Sequence, residues 1–326
     1  MTATLFEPVA VAGWEATRPE WLAARRIGLG ASDVLAVLGF SNYRTPWQVW
    51  AEKTGAYLPE DEPSEAAEIG TELEPWLRGK LADLLDTPVK RTPAQLYSHP
   101  EHSWRLASPD GFVPALGEGV ECKTAGIAGG FGPPSDWSDE KIPLGYEFQV
   151  RWQMHVCGWP AVHVIALLAN VGVRHYRIER DLPLEFDLVA QVEAWWNAHV
   201  IAGAEPPMVP ADNDTICKVY PQPERDDVDL GDTDVYEHLL AYQQAHEREK
   251  AAKDEKARAG AELKRLLGTA SDGLVDNRPV VTWRSKKSGV DWDAYLADLA
   301  LAGVTLPDRE AYRKPPTRTL SVKELT

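Results

Sequence analysis

"SPDGFVPALGEGVECKTA", residues 108–125, sets one acid, Asp110, eleven positions ahead of a second, Glu121, with Lys123 two further on. The gap is filled mostly by Gly, Pro and apolar residues, which punctuate short strands. The flanks "SWRLASPDGFV" and "GEGVECKTA" therefore read as two antiparallel strands joined by "PALGEG". Side chains alternate across a strand, so Glu121 and Lys123 share one face while Val120 and Cys122 take the other. With "ASPDG" paired alongside, Asp110 reaches the same end of the sheet as Glu121. Two carboxylates and the Cys122 backbone carbonyl make an incomplete oxygen shell. That suits Mg²⁺, which keeps several waters, with Mn²⁺ as a substitute. Lys123 is placed to orient or deprotonate an attacking water, and nearness to a cation favours its neutral form. The competing reading of D…ExK is a hairpin whose charges face solvent. Cys122 itself reads as a small buried apolar residue contributing only its carbonyl.

Upstream, helical pieces surround a loop. "PEWLAARRIG" has Pro19 near its start and Gly28 after its last turn, and "ASDVLAVLGF" has Ser32 and Asp33 as N-cap candidates. "TPWQVWAEKTG" opens with Thr45–Pro46 and closes at Gly55. An acidic loop, "PEDEPSEAAE" (59–68), precedes a helix over 70–86 with Leu73, Leu77, Leu81 and Leu84 at helical spacing. Downstream, "PLGYEFQVRWQMHVCG" (143–158) is helical, "AVHVIALLA" and "VRHYRIER" are strands, and "EFDLVAQVEAWWNAHVIAG" is a helix ending at Gly203. The order gives an α/β domain over 1–215. Residues 206–231 are rich in Pro and Asp and read as a linker or extended arm, with the linker proper over 216–231. A C-terminal region, 232–326, follows: a long charged helix over 232–268 and a strand in "RPVVTWRSKKSG" with a basic tip.

Composition narrows the functional classes. Hydrophobic residues make up 44% of the chain and charged residues 26%, as in globular proteins that dissolve in water. No apolar run approaches a membrane span and no signal pattern opens the chain. Three scattered cysteines, Cys122, Cys157 and Cys217, indicate neither a disulfide framework nor a zinc site, and suit a reducing cytoplasm. His155 and His163 have no partners at ligand spacing and read as structural. The net charge of −16 argues against a nucleic-acid partner unless a locally basic or metal-charged cleft exists. From Arg278 onward nine Lys/Arg stand against six Asp/Glu.

"WLAARRIGLGASDVLAVLG", "IGTELEP", "SPDG", "ECK" and "YEFQVRWQM" follow one another in that order. Together they resemble the YqaJ-like viral recombinase family, which belongs with the lambda-type exonucleases in the PD-(D/E)XK nuclease fold. The resemblance covers about residues 14–205, and more loosely the long helix and "VVTWRSKKSGVDWDAYL". It implies a restriction-endonuclease-like core, a central mixed sheet flanked by helices, with a C-terminal helical arm. It further implies that Asp110, Glu121 and the Cys122 carbonyl hold the metal, that Lys123 is the catalytic lysine, and that Glu74 supports the metal from a helix. Glu72, pointing elsewhere on that helix, ranks below Glu74. Arg25 resembles the arginine that grips a DNA phosphate, with Ser32 and Ser108 beside it; which of Arg25 and Arg26 turns inward stays open. Tyr146, Gln149 and Gln153 share a helix face, and the resemblance sets Tyr146 and Gln149 beside the active site. Gly30 departs from the family, where threonine is common, so the phosphate pocket differs in shape.

The function implied is Mg²⁺-dependent digestion of double-stranded DNA from the 5′ end, leaving 3′ overhangs for a single-strand annealing protein. A trimeric ring and a phage- or prophage-encoded protein in a bacterial cytoplasm follow from the same resemblance. Two rivals stand: an endonuclease of the same fold, and a non-catalytic acidic DNA mimic suggested by the net charge.

Overall fold

In the computed structural model the described residues are 5–59, 64–126, 136–138, 141–231, 234–285, 289–305, 307–314 and 320. The chain divides into two units, Met1–Val219 and Tyr220–Thr326.

The first unit is built on a mixed sheet in the order β4-β5-β6-β7: β4 (Gly111–Val113), β5 (Glu118–Ala125), β6 (Ala161–Leu168) and β7 (Gly172–Glu179). β4 pairs antiparallel with β5, β5 parallel with β6, and β6 antiparallel with β7. The parallel step requires a crossover, which α5 (Leu144–Cys157) provides. The β4–β5 turn depends on Gly117, whose φ of 67° a side chain would resist. Both faces of the sheet are covered. Val113, Val120, Cys122 and Ile165 pack on Leu77 and Leu81 of α4 (Glu65–Leu85). On the other face Ala125, Val162, Val164 and Ala166 join a core with Val150, Trp152 and Met154 of α5, Val34 and Ala36 of α2 (Ala31–Val37), and Leu188 and Val192 of α6 (Leu182–Trp195). This is the expected mixed sheet flanked by helices.

A second sheet, order β1-β2-β3, combines β1 (Val9–Ala12), β2 (Leu96–Ser98) and β3 (Leu106–Ala107). The segment "SWRLASPDGFV" is therefore not one strand. It breaks at Ser108–Pro109–Asp110, with β3 pairing to β2 and β4 to β5. Pro109 has no N–H to give a ladder, and the break lets Asp110 leave the strand direction. α1 (Arg18–Arg26) leads into α2 where Leu29 donates to the Trp104 carbonyl at 2.7 Å. A Cβ on Gly28 would sit 2.0 Å from that oxygen, so only glycine fits.

Several boundaries differ from the sequence reading. Gly30, not Ser32 or Asp33, is the N-cap of α2, and its N–H donates to Asp33 Oδ2 at 3.1 Å. α4 begins at Glu65, so residues 65–68 of the acidic stretch form its first turn, where Glu65 and Glu68 suit the helix dipole. Residues 60–63 lie outside the described residues. α3 (Pro46–Thr54) has the expected Thr45 cap and left-handed Gly55. Part of the expected linker is helical: a 3₁₀ turn, Pro210–Asp212, and α7 (Asn213–Val219). Both are tied to α3, Asp212 accepting from the Thr45 hydroxyl and Thr215 from Gln48 at 2.8 Å.

The second unit carries α8 (Val235–Leu267), the hairpin β8 (Asp272–Val275) and β9 (Arg278–Thr282), and α9 (Trp292–Leu301). α8 and α9 have no buried residues, and Lys264 Nζ stands 5.8 Å from the Trp283 ring. Residues 286–288 of the basic tip lie outside the described residues. Among those described, no helix is long and apolar enough to cross a membrane.

Candidate active site

The β4–β5 hairpin does bring the two acids together. Asp110 sits just before β4, beyond the last pair of the ladder, Gly111↔Val120, and its Oδ2 accepts from the Cys122 N–H at 2.7 Å. A strand residue points its N–H and C=O to the same side. The Cys122 carbonyl therefore lies on the same open edge, beside Asp110. Arg78 on α4 donates to the Asp110 carbonyl at 2.8 Å and to Glu74 at 3.3 Å, pinning the turn to the helix that carries the third acid. Sequence reading missed Arg78, although its position four residues after Glu74 was a visible signal.

Asp110, Glu121, Cys122, Lys123 and Glu74 line one cavity of about 220 Å³. Burial first, then the Glu121 and Glu74 charges, push the Asp110 carboxyl well above the usual carboxylate range. Burial, with Glu121 nearby, also holds Glu74 above it in spite of Arg78. Glu72 is exposed.

Glu121 is 3% exposed and held by amides. Its Oε1 accepts from Lys123 Nζ at 2.5 Å and from Gln149 at 2.6 Å, and its Oε2 from Gln153 at 2.7 Å. The Gln153 Oε1 stays buried without a partner among the described residues. That amide is oriented for the carboxylate at the expense of its own oxygen. Burial pulls the Lys123 ammonium toward neutrality, but Glu121 and then Asp110 outweigh it and leave the group above its ordinary range. The lysine expected to be neutral beside a cation is thus an ammonium beside these carboxylates. Its Nζ stands 5.1 Å from the Tyr146 ring.

Lys123 lines a second cavity of about 350 Å³ as well, together with Ser32, Phe40, Arg44, Tyr146 and Gln149. The two hollows meet at this one ammonium. Arg25 donates to the Ser32 hydroxyl at 2.5 Å, so Arg25 rather than Arg26 is turned toward Ser32. Ser108 is not part of the group: its Oγ is buried with no partner among the described residues, and it lines neither cavity.

Beneath Ser32 lies a cluster the sequence did not disclose. Buried Asp33 faces Arg44 at 2.8 Å, Lys53 at 3.0 Å and Arg25 at 3.7 Å. Burial alone would raise this acid, but the three cations outweigh it and hold it far below the ordinary range. Arg44 and Lys53 lie eleven and twenty residues along the chain from Asp33, so no local spacing betrays the cluster.

Among the described residues no three His, Cys, Asp or Glu side chains stand close enough to enclose a metal ion. The three carboxylates that line the smaller cavity nevertheless offer oxygen donors and are short of compensating charge, which fits a hard cation that keeps part of its water shell.

Residues 20–160 match the model of the YqaJ-like viral recombinase domain. The chain is also 30% identical over 284 residues to the uncharacterized protein YqaJ of Bacillus subtilis (strain 168), covering 83% of this chain and 86% of that one. The chain belongs to the YqaJ-like viral recombinase family. The matched span of this family model contains Asp110, Glu121, Lys123, Glu74 and both glutamines. Among solved structures the chain is similar to an alkaline exonuclease from Laribacter hongkongensis, at 25% identity and a TM-score of 0.45, over 54% of this chain and 90% of that one. A phage-related exonuclease from Haemophilus somnus 129PT is similar at 12% identity and a TM-score of 0.39, over 54% and 96%.

Proposed function

We propose that the chain is a metal-dependent DNA exonuclease whose chemistry takes place where its two cavities meet at Lys123. One observation carries this reading: three carboxylates, under-compensated by cations, line a cavity beside a lysine that also faces a cleft with Ser32. Membership of a viral recombinase family supports it. A merely structural hairpin would have no reason to gather acids whose charges oppose one another.

Asp110, Glu121 and the Cys122 carbonyl would hold Mg²⁺, or Mn²⁺ in its place, with Glu74 at the rim. Such an ion supplies positive charge to the phosphoryl oxygens and acidifies a bound water. The protein's own residues do the rest. Gln149 and Gln153 fix the Glu121 carboxylate, so its oxygens face the same direction in every turnover. Lys123 orients the attacking water and carries a proton at Nζ. Ser32, braced by Arg25, holds the phosphate, and Tyr146 forms the wall beside Lys123. We assign this activity to the first unit and digest polarity 5′→3′, leaving 3′ overhangs for an annealing protein, with a ring-shaped homo-oligomer and a phage origin in a bacterial cytoplasm.

The test is digestion of end-labelled linear duplex and of covalently closed circular duplex in Mg²⁺, with wild type and Glu121→Ala. Loss of the linear substrate from its 5′ end, an intact circle and an inert variant are expected. A cleaved circle would convert the reading to an endonuclease. Unchanged digestion by the variant would refute the site, and a protein that degrades nothing and binds no metal would be the acidic mimic.

A further inference from the structure

Arg78 takes no step in the reaction above, yet it is bonded to two of the three acids at once. It lies one turn along α4 from Glu74. One nitrogen, Nη1, donates both to the Glu74 carboxylate at 3.3 Å and to the Asp110 carbonyl at 2.8 Å. The sheet edge explains why that carbonyl is within reach. Phe112 exchanges hydrogen bonds with Lys90 on the outer side of β4, so Asp110, two residues back, turns its carbonyl to that same side. Arg78 meets it there. Its stem crosses Gly111, where a Cβ would lie 2.9 Å from the Arg78 Cδ, so the glycine after Asp110 leaves room for the guanidinium.

Apolar packing alone does not fix this geometry. Leu77 and Leu81 seat α4 on the sheet, but such contacts are non-directional and leave the rotation of a neighbouring carboxylate open. Glu74, Asp110 and Glu121 also repel one another across the cavity they line. A guanidinium held between Glu74 and a backbone oxygen sets the separation that repulsion would otherwise widen. The Arg78 side chain is 12% exposed, so water competes little for these bonds.

We propose that Arg78 is a positioning residue of the metal site, setting Glu74 and the Asp110 turn at the spacing a divalent cation requires. The inference rests on the exonuclease reading and deepens it by one residue. Two effects of removing Arg78 oppose each other. Its positive charge repels an incoming cation, so losing it tightens metal binding. Its hydrogen bonds order two groups of the site, so losing them weakens metal binding. Glu74 already offsets the charge at 3.3 Å, which leaves the loss of order as the larger effect. The sign of the change in affinity therefore tells a positioning group from a mere neighbouring charge.

Titration calorimetry of Mn²⁺ into the full chain, without DNA, compares wild type with Arg78→Ala, Arg78→Lys, Glu74→Ala and the double variant Arg78→Ala/Glu74→Ala. Arg78→Ala is expected to weaken Mn²⁺ binding by about tenfold. Arg78→Lys, which keeps the charge and one donor, should lie between it and wild type. In the double variant the loss should be smaller than the product of the two single losses, because the pair acts as a unit. On linear duplex the Mg²⁺ concentration for half-maximal digestion should rise by a similar factor, while the saturating rate changes less. Thermal unfolding checks that each variant folds. Unchanged or tighter Mn²⁺ binding in Arg78→Ala, or losses that simply multiply, overturns the assignment. Wild type that binds no Mn²⁺ removes the metal site beneath it, whereas wild type that binds Mn²⁺, with Arg78→Ala equal to it, removes the Arg78 role alone.

Discussion

Asp33, buried, and Asp110, half-buried, are both acids of the first unit, and they are treated in opposite ways. Asp33 is surrounded by Arg25, Arg44 and Lys53, and its carboxyl is held far below the ordinary range. Asp110 is surrounded by Glu121 and Glu74, and its carboxyl is pushed well above it. The first acid completes a network of fixed charges and ties α2 to α3. The second lacks a matching set of cations among the described residues, with Lys123 and Arg78 nearby. A fold that can neutralise Asp33 so fully yet leaves Asp110 short of positive charge is what the proposed cation at Asp110 would explain.

This contrast breaks if the two acids respond alike to substitution. The largest effect belongs to the site: Glu121→Ala should slow DNA digestion by on the order of 10³-fold or more, measured on labelled linear duplex, while its thermal midpoint stays level or rises. Asp33→Asn should do the reverse, lowering unfolding stability by about 3–5 kcal/mol in denaturant titration because three cations lose their buried partner. Lys123→Ala should reduce the digestion rate by about 10²–10³-fold, with Mn²⁺ affinity retained, since a proton carrier is lost and the ligands are not.

Dependence on pH gives a smaller and sharper comparison. The Asp33 carboxyl is depressed on folding, so its stabilisation is complete above about pH 3.8 and disappears as pH falls through its folded value. The penalty of Asp33→Asn should therefore be full at neutral pH and shrink below about pH 4. Asp110 is raised on folding, so its favourable contribution is intact below about pH 3.8 and lost as pH rises through its folded value. In chelator-treated protein Asp110→Asn should gain stability over wild type as pH rises above about 3.8, by thermal unfolding. A gap of the opposite sign would mean that Asp110 is compensated after all.

Much of this site was legible in the sequence because it is local. Alternation along "GVECK" set Glu121 and Lys123 on one face, and helical spacing set Gln149 and Gln153 on another, where they meet Glu121. The break of "SWRLASPDGFV" was not legible, since which sheet receives β3 depends on β1 and β2 far away in the chain. Ser108 was misplaced for the same reason: the turn at Pro109 buries its hydroxyl instead of opening it to the cleft. The Asp33 cluster draws on α1, α2 and α3 and on the loop that carries Arg44, and charges brought together by tertiary packing leave no periodic trace. α7 was read as chain between domains because Pro and Asp dominate its approach, yet two side-chain bonds to α3 hold it to the first unit.

Titration calorimetry of Mn²⁺ into the wild-type protein and into Asp110→Ala tests the central claim most directly. Saturable binding by wild type, lost in the variant while the fold remains intact, is the predicted result. Equal binding by both, or none by either in the presence of duplex DNA, would contradict it.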